Sequence, residues 1–266
     1  MIYVLSDIHG NKENFDSILE KINLRMEDSL YILGDVIDRY PYGIQLLQQI
    51  IEMPNAHMLL GNHEWMMMKA LGICYQGVGE LAGIDRICQS REPVEDLLSH
   101  WYENDGGVTH EAWKKLSGEE QERMGSFLST LPLSYDVSAS GKNFKLVHAA
   151  PVELYRHFPV SPYEDAVEFA VWDREMFHYS FNIGYTVVFG HTATCYMQDQ
   201  NPLEIWDAGD MIGIDCGSGF PKSSGLFPVE GRLACLRLDD MQAFYSKEEC
   251  RSRHRDMNKG LWNLIA

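Results

Sequence analysis

Basic residues are scarce in this chain. Lys and Arg number 22 against 39 Asp and Glu, for a formal net charge of −17 over 266 residues. Such an acidic balance argues against nucleic-acid partners and against binding to anionic membranes. It leaves room for a small positive pocket, because bound divalent cations invert the local field. No run of 18 apolar residues occurs, so no spanning helix is expected. Asp7 and His9 interrupt the N-terminal apolar segment before the h-region of a signal peptide could form. Cysteine is thin and scattered: six, at positions 74, 88, 195, 216, 235 and 250, with no CxxC pairing. That spacing favours buried, reduced thiols in a cytoplasmic protein over a disulfide framework or a structural zinc site.

What is present is a core-sized hydrophobic fraction of 45%. At this length it fits one domain over 1–266 with an inserted cap. The first third alternates strand and helix patterns. Strands are expected at 2–6, 29–33 and 56–60. Helices are expected at 11–22, with Phe15, Ile18, Leu19 and Ile22 on one face, and at 44–51. That order is a βαβαβ unit and implies an α/β class with a parallel sheet. From about 65 to 131 the character changes. Met66, Met67, Met68, Leu71, Leu81, Ile84, Ile87, Leu97, Leu98, Trp101, Trp113, Phe127 and Leu128 recur at helical spacings among acids. This reads as a helical cap, with the methionines as core filler and a loop at Asp105, Gly106 and Gly107. Strands return at 133–137 and 144–147, joined by a turn around Gly141. A helical stretch at 163–172 follows, then strands at 186–189, 211–214 and 233–238. The last two flank a loop at 217–231 containing Gly, Ser and Pro. The tail 247–259 is locally basic and reads as a solvated helix face.

The chemistry sits where apolar strands end. Asp7 and His9 follow the first strand. Two positions apart in extended chain, they point to the same side. Asp35 follows the second strand, Asn62 the third, and His148 and His191 two later ones. Open α/β sheets place ligands outside the carboxyl ends of their strands. Three His, two Asp and one Asn form a mixed oxygen and nitrogen set that suits Mn, Fe or Zn better than Ca or Cu. Six ligands are too many for one tetrahedral zinc and suit two ions sharing a carboxylate. Such ions clamp an in-line phosphoryl displacement, with a bridging water losing a proton to become the nucleophile. Arg39 can grip a phosphate with a planar fork of donors. His63 can protonate the leaving oxygen with Asp38 fixing its orientation.

Asp7-x-His9-Gly10, Gly34-Asp35-x-x-Asp38-Arg39, Gly61-Asn62-His63-Glu64, His148-Ala149 and Gly190-His191 resemble, in order, the motifs of calcineurin-like metallophosphoesterases. Among these the set is most similar to the bacterial and phage serine/threonine branch of the phosphoprotein phosphatases. The stretch from Trp101 through Gly106, Gly107 and Thr109 resembles that branch's Trp…Gly-Gly-x-x-Thr segment, and Trp172-Asp173-Arg174 its Trp-x-Arg element. Ile214-Asp215-Cys216-Gly217 and Gly231-Arg232-Leu233 resemble its closing strands. The resemblance implies a four-layer α/β/β/α fold: a β-sandwich flanked by helices. It implies that Asp7, His9 and Asp35 hold one metal, that Asp35 bridges, and that Asn62, His148 and His191 complete the second. Manganese is the first expectation for both ions, with Fe or Zn as substitutes. Arg39 and Arg174 would bind phosphate, and His63 with Asp38 would be the acid pair. Only the resemblance picks out Arg174. The implied activity is hydrolysis of phosphoserine and phosphothreonine in proteins or of small phosphoesters. The rival activity is symmetrical hydrolysis of dinucleoside polyphosphates such as diadenosine tetraphosphate. A catalytically silent binding protein would be expected to have lost a ligand, and this chain has them all. Two positions depart from the family pattern: Tyr40 and Ala150 stand where Gly is usual, which bears on substrate access.

Overall fold

The computed structural model describes residues 1–77, 92–157, 162–163, 165–178, 184–220 and 230–247. The expected helical residues Leu81, Ile84 and Ile87, the middle of the 217–231 loop and the basic tail beyond Lys247 lie outside them. The first sheet runs β10-β9-β1-β2-β3. Its central strands are β1 (Ile2–Leu5), β2 (Ser29–Ile32) and β3 (Ala56–Met58). They pair in parallel, joined through α1 (Lys12–Ile22) and α2 (Gly43–Glu52). Helices α3 (Asn62–Leu71), α4 (Val94–Glu103), α5 (Gly107–Trp113) and α6 (Gly118–Ser129) follow. The second sheet runs β4-β5-β6-β8-β7. It contains β4 (Ser134–Ala139), β5 (Lys142–Val147), β6 (Thr186–Phe189), β7 (Trp206–Asp207) and β8 (Met211–Gly213). Between β5 and β6 lies α7 (Ala166–Trp172). The chain then returns to the first sheet as β9 (Ala234–Arg237) and β10 (Gln242–Tyr245).

Strand alternation makes the layers. Val4, Leu33 and Leu59 of the first sheet's side meet Phe144, Leu146, Val188 and Ile212 of the second in one buried cluster. Their neighbours Tyr3, Leu5, Leu30 and Ile32 point the other way, under Phe15 and Ile18 of α1, Leu46 and Leu47 of α2, and Met67 and Met68 of α3. On the far side, Val147, Val187, Phe189 and Met211 pack against Phe169 of α7. Two mixed sheets stand face to face with helices outside, as the resemblance implied. Each fully buried Leu or Ile contributes about 1.5–3 kcal/mol by leaving water. Met66, Met67 and Met68 are core filler, all at 4% exposure or less. No described helix is long and apolar enough to cross a membrane.

Departures from the sequence reading have local causes. The first sheet is mixed rather than wholly parallel, because β9 runs antiparallel to β1, and β10 to β9. Strands β7 and β10 were not anticipated: one has two residues, and the other lies at a half-exposed edge with no clean alternation. Helix α3 begins at Asn62, so the motif residues Asn62, His63 and Glu64 form its first turn. Helix α7 begins three residues after Tyr163, where Asp165 Oδ1 accepts from the N–H groups of Val167 (2.8 Å) and Glu168 (2.9 Å). Of the loop expected at Asp105 to Gly107, Gly107 already belongs to α5. Cys195, Cys216 and Cys235 are free thiols. Cys74 is disulfide-bonded, contrary to the expectation that all six are reduced.

Candidate metal centre

Parallel pairing puts the carboxyl ends of β1, β2 and β3 at one edge of the first sheet, and those of β5, β6 and β8 at one edge of the second. The two edges meet. The N–H of His191 donates to Asp7 Oδ2 (2.9 Å), and His148 Nδ1–H donates to the Leu33 carbonyl after β2 (2.6 Å). Gly190 is required by this contact: a Cβ there would stand 1.9 Å from Ser6 Oγ and 2.3 Å from Asp7 Oδ2.

The backbone at this junction is strained in a way the sequence did not reveal. Asp7 (φ +56), His9 (+51), Asp35 (+54), Asp38 (+70), Arg39 (+64) and His191 (+62) all adopt left-handed conformations. Each non-glycine residue held so costs about 1–3 kcal/mol. Loop-to-loop hydrogen bonds hold them there. His9 N–H donates to the Asp35 carbonyl (2.9 Å), and Gly10 N–H to the Val36 carbonyl (2.6 Å). The buried Glu64 carboxylate accepts from the N–H groups of Asp35 (2.8 Å), Val36 (2.9 Å) and Gly61 (3.2 Å). Sequence reading gave Glu64 no role, although an acid in the first turn of a helix is a recognisable capping signal.

The side chains converge. Asp35 Oδ2 lies 3.7 Å from His9 Nε2 and 3.9 Å from His63 Nε2, and its Oδ1 lies 3.6 Å from His148 Nε2. Two groups of ligand atoms lie within 4.8 Å of one another: His9, Asp35 and His63, and Asp35, His148 and His191. Asp35 belongs to both. Asp7 Oδ1 is 3.9 Å from His9 Nε2, and Asp7 Oδ2 accepts from Ser6 Oγ (2.5 Å). All six expected ligands are therefore gathered in one buried cluster. His63, expected to be the acid, stands beside them rather than apart.

The hydrogen bonds test whether the cluster fits a cation. His9 Nδ1–H donates to the Ile37 carbonyl (3.1 Å), His148 Nδ1–H to that of Leu33 (2.6 Å), and His191 Nε2–H to that of Trp172 (3.2 Å). In a neutral ring each such bond turns the other nitrogen into a lone-pair acceptor. His148 Nε2 and His191 Nδ1 then both face Asn62 Oδ1, itself an acceptor, at 2.9 Å. Three lone pairs meet with no proton between them, an arrangement that a cation relieves. Burial, then the nearby Arg39, holds the His9 imidazole well below the usual histidine range. Burial, then Arg174, does the same to His191. Both are thus neutral, as ligands must be. Burial and the charge of Asp35 push the Asp7 carboxyl up. Burial also opposes ionisation of Asp35, but the surrounding positive charges and the His63 N–H bond, taken together, hold its pKa down.

Around this cluster, His63 Nδ1–H donates to Asp38 Oδ2 (2.7 Å). Arg174 Nη1 donates to the His191 carbonyl (3.2 Å) and to Thr192 Oγ1 (3.4 Å), while Gly219 lies against both His9 and Arg39. The guanidiniums thus flank opposite halves. The Tyr40 hydroxyl donates to the Phe220 carbonyl (2.9 Å) and ties the Arg39 loop to the closing loop. Ala150 packs instead in the core with Phe169. Asp215, also given no role by the sequence reading, is buried beside Asp7 and pushed up to about 8, by burial first and then by that charge.

A family model described as calcineurin-like phosphoesterase matches residues 1–195. A symmetrical bis(5'-nucleosyl)-tetraphosphatase of Erwinia tasmaniensis is 27% identical over 117 residues, which are 43% of this chain and 41% of that protein. Its counterpart in Yersinia pestis is 28% identical over 102 residues, 37% of this chain and 34% of that one. The match thus spans about two-fifths or less of these relatives. A crystal structure provisionally assigned as a diadenosine tetraphosphatase superposes with a TM-score of 0.56 at 16% identity, covering 92% of this chain and 91% of its own. That likeness is one of fold.

Proposed function

The chain belongs to the calcineurin-like phosphoesterase family, whose model spans residues 1–195, and from that premise we propose that it is a two-metal phosphomonoesterase acting on phosphoserine and phosphothreonine in proteins. One observation carries the metal reading: Asn62 Oδ1, His148 Nε2 and His191 Nδ1 aim lone pairs at one point, beside a carboxylate that also serves His9. Asp7, His9 and Asp35 would hold one ion, and Asp35, Asn62, His148 and His191 the other. When bound, such ions neutralise phosphoryl charge and lower the pKa of water. Manganese is the proposed metal, with Fe or Zn as substitutes.

The chain's own groups do the rest. Arg39 and Arg174 hold the phosphate oxygens from two sides, offsetting charge that an acidic protein would otherwise repel. His63 hands the proton on Nε2 to the leaving oxygen. Asp38 grips Nδ1 so that Nε2 faces inward. A serine or threonine alkoxide is a poor leaving group and needs that proton, which favours phosphoprotein as substrate. Symmetrical cleavage of a dinucleoside polyphosphate is the second reading. It is favoured by the names of the relatives in Erwinia and Yersinia.

The test is a metal-resolved panel. The protein is stripped with chelator and reloaded singly with Mn, Fe, Zn or Mg. Phosphate release is then followed from p-nitrophenyl phosphate and a phosphothreonine peptide, and ADP formation from diadenosine tetraphosphate. The expected result is release restored by Mn, with the peptide preferred. A clear preference for the nucleotide would replace the first reading by the second. If neither phosphate nor ADP formed with any ion, both readings would sink.

A further inference from the structure

Asp38 carries its load on one oxygen. Oδ2 accepts from His63 Nδ1 (2.7 Å) and also from the indole Nε1–H of Trp101 (2.8 Å). Among the described residues, its buried Oδ1 has no hydrogen-bond partner. The carboxylate is therefore not pinned from both ends, and its rotation about the side chain is set by whatever grips Oδ2. Trp101 is wholly buried on α4. Its position is built into the chain: a Cβ on Gly106 would come within 2.3 Å of the indole Cδ1 and Nε1. The same segment fixes the backbone below. Thr109 Oγ1 accepts from the Asp38 N–H (3.0 Å), and the Asp105 carbonyl accepts from the Arg39 N–H (3.3 Å). Both Asp38 and Arg39 are left-handed, so these bonds hold a conformation the loop would otherwise leave.

We propose that Trp101 is the positioning residue of the acid pair: its indole N–H fixes the Asp38 carboxylate so that Oδ2 orients His63. This rests on the proposed function insofar as His63 is the acid. A tryptophan serving only as core would fill the same space, but its N–H would not matter to the reaction.

Two variants remove the donor. Trp101→Phe deletes it with some volume, and Trp101→3-benzothienylalanine deletes it at nearly constant shape. With Mn-loaded protein, turnover of an alkyl phosphate is expected to fall about tenfold or more, the value of one charge-assisted hydrogen bond. Turnover of p-nitrophenyl phosphate, whose leaving group needs little acid help, should stay within about threefold, with bound Mn unchanged. In a His63→Asn background the same substitution should cost nothing further. Equal losses on both substrates, or a loss undiminished in that background, would overturn the inference. A second readout needs no turnover. The His63 Nδ1–H proton resonance, identified by its disappearance in His63→Asn, should exchange with solvent at least about tenfold faster in either variant, as expected when its acceptor is released. An unchanged resonance overturns the inference even if every phosphoester proves inert, an outcome that by itself removes only the proposed function.

Discussion

At the scale of single residues, His63 separates two chemistries that look alike in a ligand list. Its Nε2 is as close to Asp35 as that of a ligand, yet its Nδ1 is held by a carboxylate, whereas His9, His148 and His191 are held by carbonyls. A carboxylate partner favours the imidazolium and a carbonyl only fixes the tautomer. Burial lowers the His63 pKa, but Asp35 and Asp38 together outweigh it and raise the net value. That raised value belongs to metal-free protein; bound cations oppose the Asp35 share of it and leave the Asp38 share. Turnover of alkyl phosphates should fall as pH rises through the His63 pKa of the loaded protein, because the proton it donates is then lost. His63→Asn should keep both metals, lower turnover by about 10²–10⁴ for poor leaving groups, and abolish that alkaline fall. Metal analysis and a pH–rate profile on the same sample check this; a variant that arrives empty of metal would make His63 a ligand.

At the scale of elements, the sequence was informative about identity and poor on geometry. The residue types Asp7, His9, Asp35, Asn62, His148 and His191 were readable because each ends an apolar strand, and β1, β2, β5 and β6 lie within two residues of where the pattern put them. What stayed hidden depends on partners far away in the chain. Nothing local says that Asp35 or His191 is left-handed, since the bonds that enforce it come from other loops. Nor does periodicity show that α3 starts at Asn62, because its first turn carries polar side chains, Asn62, His63 and Glu64, instead of an apolar stripe. Glu64 is the clearest case. It looks like a plain helix-cap acid, yet its carboxylate collects N–H groups from the Asp35 loop as well as from Gly61. Glu64→Ala would leave those buried donors unpaired, at about 1–3 kcal/mol each. The expected result is a loss of several kcal/mol in denaturant unfolding, together with weaker metal binding from the loosened Asp35. A loss of only about 1 kcal/mol, the value of a helix cap, would mean that Glu64 only caps the helix.

At the scale of the whole molecule, the centre is a clasp between two sheets. The first sheet's loops and α3 bring Asp7, His9, Asp35 and Asn62, and the second sheet's loops bring His148 and His191. Cations that bind these together bind only the assembled sandwich, so their binding free energy adds to its stability. The same holds for charge. In metal-free protein the Glu64 and Asp215 carboxyls are each pushed up to about 8, by burial first and then by Asp35 for Glu64 and by Asp7 for Asp215. Raised acids cost nothing while protonated, so the apo fold should lose stability as pH rises from about 4 towards 8. His9 and His191 act with the opposite sign. Their depressed pKa values make the apo fold lose stability as pH falls below about 6.5. The carboxyl effect should dominate above that point, where both imidazoles are neutral in either state. Saturating Mn should therefore raise the melting midpoint more at pH 8 than at pH 6, because it neutralises the carboxylates that the apo fold tolerates least and because fewer protons compete for the ligands. Asp35→Asn, which removes the charge common to both halves, should abolish most of that increment. Leu146→Ala, in the layer between the sheets, should cost about 2–5 kcal/mol and leave the increment in place. If Leu146→Ala and Asp35→Asn reduced the metal increment equally, the cations would be reporting general sandwich stability rather than clasping the two sheets through Asp35.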